Sequence, residues 1–311
     1  MSVAHRPPRC SETAAVRDDP RAGSAAPVAR WLLVEQPGPW GRDALLGSRL
    51  DRTVAADLAR RAAAAGVRVL LVRRHGRAGH TSQHRRHWAL VDSRPGSEAV
   101  AWGRFEDDDA LRDVALTGPV VPSPHEGPGD PDRPVYLACA HGRHDTCCAV
   151  RGREVAAALD ELAPGRVWEC SHVGGCRFAA NVVVLPHGLY YGGVTPAAAA
   201  ALVEATEAGH VVPDLLRGRS SLPTAVQAAQ HHARAARPEV GLAVDALAGQ
   251  DRVAHDDGSV TVDLRVRASG QVLAVTVVQR PHAAPALLTC AAPRPATPMA
   301  WELVRVEARP A

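Results

Sequence analysis

The sequence predicts a mixed α/β protein, and three observations carry that expectation. Short apolar runs suited to buried strands alternate with segments of helical spacing from Trp31 to Ala208. Turns rich in Gly and Pro separate them. A length of 311 residues with a 46% apolar fraction gives enough material for packed cores in about two domains.

Residues 1–27 are polar, aperiodic and rich in Pro, Arg and Ala, which predicts a disordered leader. An N-terminal α/β region is expected over 28–120. Its strands are Trp31–Gln36, Val67–Arg73, Trp88–Ser93 and Ala99–Arg104. Asp51–Ala65 has helical spacing and is closed by Gly66, and Asp107–Val114 reads as a short helix. Pro37–Arg42 reads as a turn with a packed Trp40. Val121–Arg133, rich in Pro, Gly and Asp, reads as a linker.

A second unit is expected over 134–236. Pro134–Ala140 is a strand, Arg151–Leu162 an amphipathic helix, and Arg166–Cys170 a strand. A Gly-containing loop, 171–180, leads into a hairpin of Asn181–Pro186 and Leu189–Val194. Thr195 and Pro196 then open an alanine-rich helix. The order β-α-β-loop-β-β-α is the thioredoxin-like arrangement with its second helix reduced to a loop. Residues 216–236 add a turn and a helix, with Arg217–Ser221 reading as a serine cap beside solvated arginines, or else an anion or partner contact. Residues 238–311, with alternating runs such as Val260–Arg267, Val272–Gln279 and Leu303–Glu307, predict a small β-rich appendage.

Composition excludes several classes. All 36 basic residues are arginine, the net charge is only +3, and the signs are interspersed. No basic stripe with interleaved aromatics appears, which argues against nucleic acid. No apolar run approaches the roughly 20 residues of a membrane span, and the first residues lack a secretory h-region. A cytoplasmic protein is expected, in which seven cysteines suggest metal or redox chemistry before disulfides.

The cysteines and histidines concentrate in CAHGRHDTCC (139–148) and CSHVGGC (170–176), each following a predicted strand. Cys139, Cys148, His172 and Cys176 are the leading soft-metal ligands. Two loops at the ends of neighbouring strands bring their side chains together, and thiolate with imidazole suits iron–sulfur clusters or zinc. Cys147 competes with its neighbour Cys148, and Cys170 reads either as core or as an alternate ligand. His141 and His144 read as polar loop residues, either of which could shelter the centre, and Cys10 and Cys290 as ordinary small apolar side chains. Cys147 and Arg153 also fit a C-x5-R phosphate loop, a weak pattern because the strand ends near Cys139. No CxxC motif, glycosidase carboxylate pair, or flavin or nicotinamide fingerprint is present.

CAHGRHDTCC (139–148), SHVGGCRFAANVVVLPHGLYYGGVTP (171–196) and RGRSSLPTAVQAAQ (217–230) resemble the sucrase/ferredoxin-like family, as does WLLVEQPGPWGRDAL (31–45). The resemblance implies a thioredoxin-like [2Fe-2S] ferredoxin domain and electron transport, serving an unidentified redox partner protein, rather than catalysis. It implies cluster ligation by Cys139, Cys148, His172 and Cys176. Several members carry histidine at both second-loop positions, whereas this chain has Cys176, so an all-cysteine set with Cys170 in place of His172 stays open. A structural zinc protein using the same ligands, or a cysteine-based thiol enzyme, is the alternative.

The mixed set makes a cluster less negative than an all-thiolate one. Its midpoint potential should exceed the roughly −400 mV of plant-type centres. A histidine with an exposed second nitrogen gains a proton on reduction, so the potential should fall as pH rises near the histidine pKa. Potentiometric titration from about pH 6 to pH 9 checks both, and a pH-independent midpoint contradicts histidine ligation.

Overall fold

A computed structural model describes residues 8–76, 85–122, 127–128 and 132–309. The elements of the first region arise where the apolar pattern places them. Strand β1 is Arg30–Glu35, helix α2 Arg52–Ala64, β2 Val67–Arg73, β3 Arg86–Asp92 and β4 Ala99–Phe105. Helix α2 starts where the Asp51 carboxylate accepts the amides of Thr53 and Val54, an N-cap that satisfies two orphan donors. A 3-10 turn over Asp108–Asp113 matches the expected short helix.

The second region contains β5 Val135–Cys139, α3 Thr146–Leu162, β6 Val167–Cys170, β7 Val182–Leu185, β8 Leu189–Tyr191 and α4 Ala199–Glu207. These follow the expected order. Helix α3 begins at Thr146 rather than Arg151, because Asp145 caps it by accepting the Cys147 amide at 2.8 Å. Leu216–Arg219, expected as a turn, is instead strand β9, and α5 follows at Thr224–Ala236.

Nine strands form one mixed sheet in the order β4-β3-β1-β2-β6-β5-β7-β8-β9. The two regions are therefore joined edge to edge, through the antiparallel pairs Val72↔Cys170 and Arg73↔Glu169. Side chains alternate along β5. Tyr136 and Ala138 pack against Val155, Ala156 and Leu159 of α3 and Leu202 of α4. Val135, Leu137 and Cys139 face the opposite core with Trp31, Leu33 and Trp168. Parallel β5 and β6 place Cys139 opposite Cys170 at the same end of the sheet.

Beyond α5, β10 Leu247–Ala254, β11 Ser259–Val266, β12 Val272–Pro281 and β13 Met299–Arg309 make a four-stranded antiparallel sheet. Val262, Leu264, Val275 and Val277 bury one face of it against Val226, Ala229 and Ala233 of α5. No helix among the described residues is long and apolar enough to cross a membrane.

The expected disordered leader is corrected from residue 8 onward; residues 1–7 lie outside the described residues. Helix α1 spans Cys10–Val16, with Cys10 and Ala14 buried. The following segment bonds to β9 and α5: Ser24 N donates to Arg217 O, Val28 N to Ser220 O, and Ala25 N to the Gln227 side chain. Its order comes from these tertiary bonds, which leave no apolar period in the sequence. Most of the expected linker is outside the described residues too, at 123–126 and 129–131.

The seam between the two regions carries a buried ion pair, Arg73 to Glu169 at 2.7 Å, with each side chain 5% exposed. Removing one partner of such a pair strands a buried charge, at about 3–5 kcal/mol, whereas an apolar pair of similar volume is nearly neutral. Glu169→Leu should therefore lose about that much stability in urea unfolding, and Arg73→Met/Glu169→Leu should recover most of it. Equal losses in the single and double variants would contradict this account of the seam.

Candidate metal centre

Two loops meet at the shared end of β5 and β6. The first leaves Cys139, the last residue of β5, and returns at Cys148 in the opening turn of α3. Gly152 sets how closely α3 approaches. A Cβ there would overlap the carbonyl oxygen of Cys139, so only glycine lets the helix bring Cys148 up to the strand end. Cys139 and Cys148 are each 1% exposed.

The second loop runs from His172, just past β6, to Cys176, which opens a 3-10 turn. Gly174 (φ 99°) and Gly175 (φ 74°) lie in the left-handed region, where side chains with a Cβ are strained. Four consecutive carbonyls are held by different parts of the chain. His172 O accepts from Arg68 of β2 at 2.8 Å, and Val173 O from the Tyr190 hydroxyl at 3.3 Å. Gly174 O accepts from Arg217 at 2.9 Å, and Gly175 O from the Asn181 side chain at 3.0 Å. Arg217 also bonds Asn181 Oδ1 at 2.8 Å. Burial lowers its pKa only to about 10, so it remains a cation at neutral pH.

The four predicted residues form a ring of neighbours. Cys148 Sγ and Cys176 Sγ lie within 4.8 Å of each other and of the Asp145 carboxylate, Cys176 lies within 4.8 Å of His172, and the Cys139 thiol at the end of β5 is electrostatically linked to Cys148 and His172. The Cys176 Sγ lies 3.4 Å from His172 Nδ1. Cys139 is held well below the usual thiol range, first by hydrogen bonding from Cys148 and then from Cys170 and His172. Cys176 is lowered by Cys148 and, despite burial, by His172. Cys148, donating to both, is raised. Burial opposes charge on His172, yet the hydrogen bonds and negative charges of Cys139 and Cys176 outweigh it and hold the pKa at about 9. The ring thus balances thiolates with protons, the role a bound cation would take over.

The neighbouring candidates separate cleanly. Cys170 is fully buried and touches the ring only through Cys139, and burial raises its thiol pKa. Cys147 points away from the ring, towards Cys10 and Cys290. His144 stacks on His172 with ring centroids 3.6 Å apart, and its ligand atom lies within 4.8 Å of those of His172 and Cys176. His141 Nε2 donates to Gly41 O at 2.6 Å, and its ring meets Trp40 edge-on. His144 thus shelters His172, one of the two roles open to it in the sequence, although its three-residue spacing from His141 gives no sign of contact with the second loop.

Two other expectations are corrected. Arg217 and Arg219 are neither solvated nor at a helix start: both sit in β9, 2% and 6% exposed, with Arg219 paired to Glu98. The residues from Cys147 to Arg153 are all helical and do not form a phosphate-binding loop, and the Cys147 amide is taken by the Asp145 carboxylate.

Gly175 faces the Arg217 guanidinium so closely that a Cβ would collide with it. Gly66 has a similar φ of 64° but nothing nearby. Gly66→Ala should lose about 1 kcal/mol of stability from backbone strain alone. Gly175→Ala should lose roughly twice that or more, since it also displaces a buried cation. Urea unfolding of the two variants checks the difference, and equal losses contradict the clamp.

The model of the sucrase/ferredoxin-like family matches residues 21–218. No curated protein and no solved structure gives a significant match. The match spans β1 to β9 and both ligand loops, about two thirds of the sequence, and on that basis the chain belongs to the sucrase/ferredoxin-like family.

Proposed function

We propose that this protein is a cytoplasmic one-electron carrier with a [2Fe-2S] cluster held by Cys139, Cys148, His172 and Cys176. The single observation that carries the reading is the convergence of the two loops at the shared end of β5 and β6, which places Cys176 Sγ 3.4 Å from His172 Nδ1 and within 4.8 Å of Cys148 Sγ, beside Cys139 at the end of β5. The family's name and the element order β5-α3-β6-loop-β7-β8-α4 support a thioredoxin-like ferredoxin domain around it.

The donor set fits the group. Three thiols and an imidazole are the soft and borderline ligands that iron–sulfur clusters take. The thiols are buried, which limits access of water and oxidants. When bound, the cluster supplies a one-electron redox centre whose potential its ligands and surroundings tune. The chain's part is to hold and shield it. The four clamped carbonyls fix the second loop, and His144 covers one face of the half-buried His172.

Beside the first loop lies a cleft lined by Trp40, Arg73, His141, Arg143 and Arg153, with Arg143 and Arg153 exposed. Its positive charge suits an acidic redox partner, which diffusion would bring to the loop faster at low ionic strength. The helical Cys147–Arg153 segment gives no support to a thiol-phosphatase reading.

Anaerobic purification with iron and sulfide analysis tests the proposal. The expected protein is brown, holds about two irons and two sulfides, and shows an EPR signal only after dithionite reduction. Cys139→Ser and Cys148→Ser should each abolish the colour, and Cys170→Ser should keep it. A colourless wild-type protein that fails reconstitution with iron and sulfide, and carries zinc in the ring instead, would overturn the electron-transfer reading.

A further inference from the structure

Three cysteines outside the ring meet on the other side of the first turn of α3. The Cys147 Sγ lies 3.6 Å from Cys10 Sγ and 3.2 Å from Cys290 Sγ, and Cys290 Sγ lies 3.4 Å from Cys10 Sγ. They come from α1, from α3 and from the connection between β12 and β13. The Asp145 carboxylate completes the group. Its Oδ2 accepts the Cys290 amide at 2.7 Å and lies 3.6 Å from Cys10 Sγ, and its Oδ1 caps α3. Asp145 is 2% exposed, and all four ligand atoms lie within 4.8 Å of one another.

The triangle's shape selects the chemistry. A disulfide needs sulfurs at about 2.05 Å and uses two of them, so three mutually adjacent cysteines cannot all pair. A tetrahedral ion with thiolates at about 2.3 Å sets its sulfurs about 3.8 Å apart, close to the spacing seen. Three thiols this close can all address one ion. Three thiolates and one carboxylate leave no open position, the pattern of a structural zinc rather than a catalytic one.

We propose that Cys10, Cys147, Cys290 and Asp145 bind a structural zinc ion that fastens α1 and the β12–β13 connection onto α3; its three thiols lie outside the ring, and Asp145, whose carboxylate is also within 4.8 Å of Cys148 and Cys176, stands between the two sites. Binding replaces the thiol protons, which pass to solvent, and no electron is transferred. The site closes the chain on itself: residues 10 and 290 are joined at the start of the helix that carries Cys148. It stands whether or not the ring holds a [2Fe-2S] cluster.

The test is metal analysis of the full chain, purified with a thiol reductant and without chelator, after incubation with one equivalent of zinc and desalting. We expect about one zinc per chain. In Cys10→Ser/Cys290→Ser the zinc content should fall roughly tenfold while the iron content is unchanged, and in Cys139→Ser zinc should remain. Cobalt added to the metal-free wild type should give the intense visible bands of a tetrahedral, thiolate-rich site, a readout that needs no variant to fold. Half-exposed Cys290→Ser alone provides a milder version if the double variant is unstable. Wild-type protein that binds neither zinc nor cobalt overturns the proposal. So does zinc that survives in the double variant and is lost from Cys139→Ser, or a Cys147–Cys290 disulfide found by mass spectrometry under anaerobic, reducing conditions.

Discussion

The carbonyls of His172, Val173, Gly174 and Gly175 are held in succession by Arg68, Tyr190, Arg217 and Asn181, and the candidate centre depends on that clamp. A loop with two left-handed glycines has few contacts of its own to define its path. Here the definition comes from buried donors, and a buried donor or acceptor left unpaired costs about 1–3 kcal/mol. The loop's path is therefore set by the elements that supply the donors. His172 and Cys176 inherit their positions relative to Cys139 from strands β2, β8 and β9.

That dependence explains why the N-terminal region matters to a site it does not line. Arg68 belongs to β2, and Ser171 exchanges two bonds with Leu71 of the same strand. The seam of β2 and β6, with Arg73 and Glu169 buried in it, aligns the end of β6 from which the second loop departs. Arg217 links further still, bonding the Ser24 backbone and hydroxyl. The leading segment, the nine-stranded sheet and the second loop form one hydrogen-bonded unit.

Much of this was legible in the sequence. Continuous apolar runs placed β1 to β8, because most of those strands are buried on both faces of the sheet. The paired loops made Cys139, Cys148, His172 and Cys176 candidates because each loop follows its own strand. What escaped was set by contacts distant in sequence. Strand β9 reads LRGR, with two arginines that pattern places in solvent; it is buried because Arg217 and Arg219 find partners in the second loop and at Glu98. Cys10 and Cys290 carry no local spacing, since 137 and 143 residues separate them from Cys147. His144 contacts His172 across two loops, a geometry that no periodicity encodes.

The central claim is that His172 joins three cysteines on one cluster. Pulsed EPR of the dithionite-reduced protein, with histidine labelled with nitrogen-15, tests it most directly. The account predicts one strongly coupled histidine nitrogen in the wild type, absent from His172→Cys, which should keep its colour at a lower potential. A reduced wild-type cluster with no strongly coupled nitrogen, or a coupling that persists in His172→Cys, would contradict it.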